Sequence, residues 1–186
     1  VGLGNPGSNY TNTRHNIGFK IIDAINAHFK LSKQKPKFKG LLTTGNIEEK
    51  KIYAIKPLTF MNNSGTAIKE LIDYFKIDAK DVIVFHDDMD IDFGKVKAKF
   101  GGTSAGHNGI ESIDKFIGKD YSRVRIGIGH PKQKKKVNNH VLEDFKEDEE
   151  EKIKEITENI VKQIPTLIEK KIDLFSSKVN QNLNGI

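Results

Sequence analysis

The sequence contains no cysteine. This absence excludes disulfide bonds, thiolate nucleophiles and cysteine-ligated zinc, and it agrees with a reducing compartment. Long apolar segments are missing as well. No run approaches the roughly 20 residues of a membrane-spanning helix, and none has the flanks of a signal peptide. We therefore expect a soluble, cytoplasmic protein with no membrane partner, although these features leave a cleaved leader open.

The 186 residues suit one ordinary domain. No linker or internal repeat divides them, so we expect a single domain over residues 1–186. The chain opens on a Val-Gly-Leu-Gly-Asn segment that is typical of a strand end, which suggests that the first few natural residues are missing. The formal net charge of +6 favours a polyanionic partner, because lysines that face phosphates release counterions. A lysine-rich solvated surface would give the same excess.

Apolar residues recur with helical spacing in some segments and with the alternation of strands in others. The spacing predicts helices over residues 13–29, 64–75 with Ser64 as the cap, 108–118, and one long helix over 147–175. It predicts strands at residues 1–5, 41–47, 52–55, 82–85, 96–100 and 124–128. Strands that alternate with helices indicate an α/β protein, with one central mixed sheet flanked by helices on both faces.

Two segments imitate ligand-binding motifs but fail the structural requirements of those motifs. Residues 2–7 match the glycine spacing of a dinucleotide fingerprint. Pro6 and a polar loop separate them from the first helix, whereas the fingerprint needs its third glycine where a helix begins. Residues 88–92 begin like a calcium loop, but the glycine comes one place late, and Lys99 stands where a bidentate glutamate is required. We expect neither site.

Polar side chains with catalytic potential follow the ends of the predicted strands. In an open α/β sheet such loops meet in one crevice, which is the default ligand site. The residues that these loops carry are Asn5, Tyr10, His15, Phe60, Met61, Asn62, His86, Asp87, His107 and Asn108. Each has an ordinary use too, since Asn62 and Asn108 can cap helices and Asp87 can cap a turn. Only their joint occurrence favours an active site.

A histidine with a carboxylate partner is a minimal general base that can activate water. The strand-end loops supply several histidines and the carboxylate of Asp87 for such a pair, and an amide such as Asn62 can donate to a carbonyl oxygen and stabilise developing negative charge. Residues 102–106 have the Gly-x-Ser-x-Gly spacing, but loop residues separate Ser104 from both the predicted strand and the predicted helix, which a nucleophile elbow joins directly. No His-Glu-x-x-His segment supplies a zinc site. The chemistry that fits is direct attack by water on an ester.

Basic residues alternate along two of the predicted strands. Lys95, Lys97 and Lys99 project from one strand face at intervals of about 6–7 Å, twice the rise per residue, and Arg123 and Arg125 can do the same from another strand. The glycines of residues 101–109 leave backbone amides accessible near a helix N-terminus, which suits phosphate. Aromatic side chains in the strand-end loops offer stacking surfaces for unpaired bases. The pattern favours a single-stranded RNA end as ligand.

Together these segments resemble bacterial-type peptidyl-tRNA hydrolase. The matching blocks follow in family order: residues 1–7, Tyr10 with residues 13–18, residues 57–65 around Thr-Phe-Met-Asn, residues 86–90, residues 101–109 ending in Gly-His-Asn-Gly, and residues 123–131. They span most of the chain and leave only the last helix without a sharp motif. Several motifs in register are far more specific than any one of them.

The resemblance implies hydrolysis of the ester between the C-terminus of a peptide and the 3′ ribose of tRNA, which recycles tRNA from aborted translation. It implies that His15 is the catalytic base, that Asp87 stabilises it, and that Asn5 helps to distinguish blocked from free aminoacyl-tRNA. The implied partner is peptidyl-tRNA. The implied enzyme is a monomer that needs neither a metal nor another cofactor.

The resemblance also assigns substrate-binding residues. Those that match positions binding the peptide or the tRNA acceptor end are Tyr10, Phe60, Met61, Asn62, His107 and Asn108. Lys99 and Arg125 match positions that grip the 5′ phosphate of the tRNA, with Lys97 beside them. The glycine loop departs from the pattern at residues 103–105, so its phosphate geometry stays open, as does any contact of the basic segment 132–136 with RNA.

The sequence leaves two other readings open. One is a metal-dependent hydrolase that uses His86, Asp88 and another histidine, and sensitivity to a chelator would support it. The other is an RNA-binding module without catalysis. Such a module could have lost His15 or Asp87, and this chain keeps both.

Overall fold

The computed structural model describes residues 1–131 and 137–183. Its strands are β1 (Lys35–Lys37), β2 (Gly40–Ile47), β3 (Lys50–Pro57), β4 (Ile83–Asp88), β5 (Val96–Phe100) and β6 (Ser122–Gly127). Its helices are α1 (Ile17–His28), α2 (Ser64–Phe75), α3 (Asn108–Ile117), α4 (Val137–His140), α5 (Glu147–Lys162), α6 (Ile164–Ile168) and α7 (Ile172–Leu183). Short 3-10 helices occupy Ser8–Tyr10, Arg14–Asn16, Met61–Asn63 and Ala79–Asp81. The predicted α/β class is confirmed.

The strands form two three-stranded sheets that the first residues of the chain join. One sheet has the order β1-β2-β3 and is antiparallel, and the other has the order β4-β6-β5, with β4 parallel and β5 antiparallel to β6. Between them, Gly2 N donates to Ile55 O on β3 and Leu3 N donates to Phe85 O on β4, each at 3.0 Å. The predicted mixed sheet thus consists of two parts joined by residues 1–3.

Helices cover both faces of β4, a buried strand that lies between residues 1–3 and β6. Successive side chains of a strand point to opposite faces, so Val84 packs with α2 and α3 while Phe85 packs with α1, α5 and α7. On the face that carries Phe85, α1 approaches residues 1–3 so closely that a Cβ on Gly18 would lie 2.3 Å from Leu3 N. Glycine at this position therefore lets the start of α1 sit directly against the strand ends.

The last helix, α7, covers the edge of the sheet at β5. An edge strand presents unpaired N–H and C=O groups that invite pairing with another chain. On β5, the Asn180 side chain accepts from Val96 N at 3.0 Å and donates to Val96 O at 2.7 Å, and Ser176 Oγ accepts from Ala98 N at 2.9 Å. Side chains of α7 therefore take the place of a neighbouring strand.

Two predictions about helices were wrong. Residues 147–175 do not form one helix, because α5 ends at Lys162 and Pro165 lies in the first turn of α6, where a proline lacks the N–H that a continuous helix needs. Ser64 does not cap α2 but is its first residue, and its Oγ donates to Met61 O at 2.8 Å. Asn63, the last residue of the preceding 3-10 turn, occupies the N-cap position of α2.

The helices of the part that the structure describes are all too short or too polar to cross a membrane.

Candidate active site

A crevice opens where β4 ends and α3 begins. Its volume is about 550 Å³. Its lining includes the predicted site residues Asn5, His15, Phe60, Met61, Asn62, Asp87, His107 and Asn108, together with Asp88, Met89, Asp90, Val141, Leu142 and residues 104–106. Tyr10, Lys97, Lys99 and Arg125 do not line it. The strand-end loops therefore meet as the sequence predicts, but they bring only part of the predicted set together.

His15 and Asp87 form a buried hydrogen-bonded pair at the bottom of this crevice. His15 Nδ1 lies 2.8 Å from Asp87 Oδ1, and the two side chains are 8% and 2% exposed. Asp87 stands near the end of β4, and His15 stands in the 3-10 turn before α1, where its N–H donates to Val141 O at 2.8 Å. Because a carboxylate accepts, Nδ1 carries the ring proton and leaves the lone pair on Nε2.

The electrostatics of the pair favour the ionised carboxylate and a basic imidazole. Burial works to raise the pKa of Asp87, but the neighbouring histidines, His15 first and then His107, outweigh it and hold that pKa well below its usual range. Burial likewise works to lower the pKa of His15, and the charge and hydrogen bond of Asp87 reverse this effect, so the pKa of His15 lies above its ordinary value. His15 is therefore strengthened as a proton acceptor.

His107 is the second donor to Asp87. Its Nε2 lies 3.0 Å from the same Oδ1, and its ring contacts the rings of His15 and His86 at centroid distances of 4.9 and 4.8 Å. His107 occupies the position before α3, where its Nδ1 accepts from the backbone N–H groups of Gly109 and Ile110. The sequence predicts a substrate contact for His107, whereas its ring nitrogens are engaged within the protein.

Asn5 is held by Asn16, which the sequence reading did not single out. The Asn16 side chain accepts from Asn5 N at 2.8 Å and donates to Asn5 O at 2.9 Å, and both residues are buried. Asn5 Oδ1 in turn accepts from Met61 N at 2.9 Å. Its Nδ2 is then the part of the amide left for a ligand. The signal for Asn16 in the sequence was its place directly after His15, within the matching block of residues 13–18.

The rim of the crevice is exposed. Phe60 is 60% exposed, and Asn62 and Asn108 are exposed as well. Neither asparagine is the capping residue of its helix, because Asn63 precedes α2 and His107 precedes α3. The ordinary capping use therefore does not account for the Asn62 and Asn108 side chains, which stay available at the rim.

Lys97, Lys99 and Arg125 form a basic strip beside the crevice, across the paired strands β5 and β6. Lys97 lies opposite Arg125 in the register, and Arg125 Nε binds Asp88 Oδ2 at 2.7 Å. Partial burial and the nearby arginines lower the pKa of Lys99. Because Asp88 also lines the crevice, its ion pair with Arg125 joins the strip to the crevice wall.

Arg123 does not join this strip, contrary to prediction. It is 1% exposed, and it binds Asp114 Oδ1 at 2.7 Å and Thr103 O at 2.8 Å. The alternation along the strand places Arg123 on a sheet face, and α3 packs against that face and supplies the carboxylate. Arg123 therefore tethers the glycine loop to the sheet. The basic segment 132–136 lies outside the described residues.

The positions of the histidines and carboxylates test the hypothesis of a metal-dependent hydrolase that uses His86 and Asp88. Among the described residues, the histidine and carboxylate atoms that come within 4.8 Å of one another belong to His15, Asp87 and His107, not to the His86 and Asp88 set. Asp88 is engaged by Arg125 and by Asp90 N. Because an ionised carboxylate only accepts, the histidine nitrogens 2.8 and 3.0 Å from Asp87 Oδ1 carry protons in this arrangement, whereas a metal ligand needs a lone pair there.

A buried histidine–carboxylate pair in an open crevice of an α/β fold is the arrangement of an enzyme that activates water. Comparisons with known proteins define it further. A model of the family described as peptidyl-tRNA hydrolase matches residues 1–185. A peptidyl-tRNA hydrolase of Pelagibacter ubique (strain HTCC1062) is 73% identical over 180 residues, which cover 97% of each chain. That of Ehrlichia canis (strain Jake) is 46% identical, covering 98% of this chain and 94% of the relative.

The fold agrees with this similarity. The crystal structure of peptidyl-tRNA hydrolase from Acinetobacter baumannii superposes with a TM-score of 0.90 at 34% identity, covering 97% of this chain and 92% of that one. The chain belongs to the peptidyl-tRNA hydrolase family and is a hydrolase of the ester bond in peptidyl-tRNA. The resemblance seen in the sequence is thereby confirmed, and the reading as an RNA-binding module without catalysis was wrong.

Proposed function

We propose that this hydrolase activates water with His15 as general base and Asp87 as its partner, without a metal. The observation that carries the proposal is the buried 2.8 Å contact between His15 Nδ1 and Asp87 Oδ1 in the crevice. His15 Nε2 removes a proton from water as its oxygen attacks the ester carbonyl. The imidazolium then returns the proton to the departing 3′ oxygen of the ribose, and Asp87 stabilises the charge on the ring throughout.

Amide groups bind the peptide side of the ester in this proposal. Asn62 donates to the carbonyl oxygen and stabilises its developing charge. Asn5 Nδ2 donates to the carbonyl of the preceding peptide bond, since Oδ1 is already engaged by Met61 N. A free aminoacyl-tRNA carries an ammonium group in place of that carbonyl and offers no acceptor. Donation by Asn5 therefore explains a preference for blocked substrates.

The exposed residues bind the tRNA. Phe60, with Tyr10 farther from the crevice, stacks on unpaired bases of the acceptor end, and Asn108 and Met61 complete that contact. Lys99 and Arg125 bind the 5′ phosphate, with Lys97 adding to the local charge. His107 contributes to the wall of the crevice beside this path. The enzyme acts as a cytoplasmic monomer.

The test compares N-acetyl-aminoacyl-tRNA with unblocked aminoacyl-tRNA, each with and without EDTA. We expect cleavage of the blocked substrate alone, at a rate that EDTA does not change. Loss of cleavage in EDTA that added metal restores would contradict the metal-free mechanism. Equal cleavage of both substrates would contradict the role of Asn5.

A further inference from the structure

His107 links the N-terminus of α3 to the catalytic carboxylate. Its Nδ1 accepts from Gly109 N at 3.1 Å and from Ile110 N at 3.3 Å, while its Nε2 faces Asp87 Oδ1 at 3.0 Å. The first N–H groups of a helix lack partners within the helix, and serine, threonine, aspartate and asparagine are the residues that usually satisfy them. These short side chains could not also reach a carboxylate across the crevice. An imidazole can, because its two nitrogens lie on different edges of the ring.

The two contacts fix where the ring proton sits. Since Nδ1 accepts two N–H groups, it holds the lone pair, and the proton of the neutral ring lies on Nε2. The rings of His15 and His86 pack against the His107 ring at centroid distances of 4.9 and 4.8 Å and leave it little room to turn over. His107 is therefore a donor of fixed direction.

We propose that His107 is a positioning residue, anchored by α3, that holds the Asp87 carboxylate and shares its Oδ1 with His15. This inference rests on the proposed role of His15 as general base. His107 orients Oδ1 toward His15 Nδ1 and takes up part of the negative charge that would otherwise stabilise the imidazolium. It thereby keeps His15 ready to release its proton to the leaving group.

Other charged and titratable groups also bear on this pair. Those near Asp87 are His15 from the 3-10 turn before α1, His86 and Asp88 from β4, His107 before α3, and Arg125 from β6. Asp88 is paired with Arg125, and burial first, then His107, hold the pKa of His86 well below its usual range. His86 is therefore neutral, and His107 is the group besides His15 that contacts the Asp87 side chain directly.

The test uses His107→Asn, which retains an N-cap residue of a preferred type but is too short to reach Asp87. His28→Asn on the exposed end of α1 is the matched control. With N-acetyl-aminoacyl-tRNA, we expect kcat to fall about 5- to 10-fold, as for the loss of one hydrogen bond, with KM little changed. We also expect the acidic limb of the pH profile to move to higher pH, because Asp87 then acts on His15 alone. His107→Gln, whose amide can reach Asp87, restores both in part.

An unchanged acidic limb with a raised KM would overturn the proposal and favour a direct contact between His107 and tRNA. A parental kcat would overturn it as well. The parent protein gives a measurement that does not depend on a variant folding: nitrogen-15 NMR of His107 should show the proton on Nε2, and a proton on Nδ1 would contradict the proposal. A near-parental rate in His15→Ala would instead refute the role of His15 as general base. Failure of the proposed function can therefore be distinguished from failure of the proposed role of His107.

Discussion

Asp87 in the crevice and Lys97 on the basic strip carry charges of opposite sign, and the protein holds the two in different ways. Asp87 is 2% exposed, and its Oδ1 accepts hydrogen bonds from His15 and His107. Lys97 is exposed on β5, opposite Arg125. A buried charge is hardly screened by salt, whereas an exposed one is screened within about 10 Å at 0.1 M salt. The comparison separates the chemistry, which we expect to be insensitive to salt, from tRNA binding, which we expect to depend on it.

The largest effect should come from removing the base in the crevice. We expect His15→Ala to lower kcat by about 100- to 10,000-fold, because proton transfer by a positioned side chain contributes about that much. Single-turnover cleavage of N-acetyl-aminoacyl-tRNA measures the effect, with His28→Ala as the control at an exposed histidine. A residual rate within about threefold of the parent would remove His15 from the mechanism.

An intermediate effect should come from Asn16, which supports the crevice without lining it. In Asn16→Ala the buried N–H and C=O of Asn5 lose their partners, which costs about 1–3 kcal/mol of unfolding free energy. Urea denaturation measures this cost, with Asn46→Ala on the exposed side of β2 as the control. We also expect poorer discrimination against unblocked aminoacyl-tRNA. Parental stability with parental discrimination would show that Asn5 needs no such support.

The smallest effect should come from the basic strip. We expect Lys97→Ala and Lys99→Ala each to raise KM a few-fold with kcat unchanged, and to reduce the slope of log affinity against log salt by about one where a phosphate contact is lost. Titrations at several salt concentrations measure this slope, with Lys154→Ala on α5 as the control. If either variant lowered kcat and left the slope as it was, the separation between crevice and strip would fail.

Local patterns predicted most of the elements and the convergence of the strand-end loops, and the family resemblance paired His15 with Asp87. Period and strand-end placement suffice for β4 and for the meeting of the loops that carry these residues. They do not tell what packs on a strand face. Arg123 shows this limit, since alternation along β6 places it on one face, while its partner Asp114 comes from α3.

Side-chain hydrogen bonds between segments far apart in the chain could not be predicted from the sequence either. Asn16 braces Asn5 across 11 positions of the chain, and His107 replaces the usual capping residue because Asp87, 20 positions earlier, needs a donor. The break between α5 and α6 is different in kind. Pro165 is a helix breaker that can be seen in the sequence. The prediction of one long helix was wrong because it followed the apolar spacing and disregarded this proline.

The pH dependence of kcat/KM tests the central claim most directly, measured for the parent enzyme and for Asp87→Asn. His15 acts as a base only without its proton, and the charge of Asp87 raises its pKa above the ordinary 6.5. We predict that the activity of the parent enzyme falls as the pH drops through that raised value. In Asp87→Asn, burial alone remains to act on the His15 pKa, so the acidic limb should move to lower pH while the rate at the plateau falls. An acidic limb that stays in place in Asp87→Asn would contradict the coupling of His15 to Asp87.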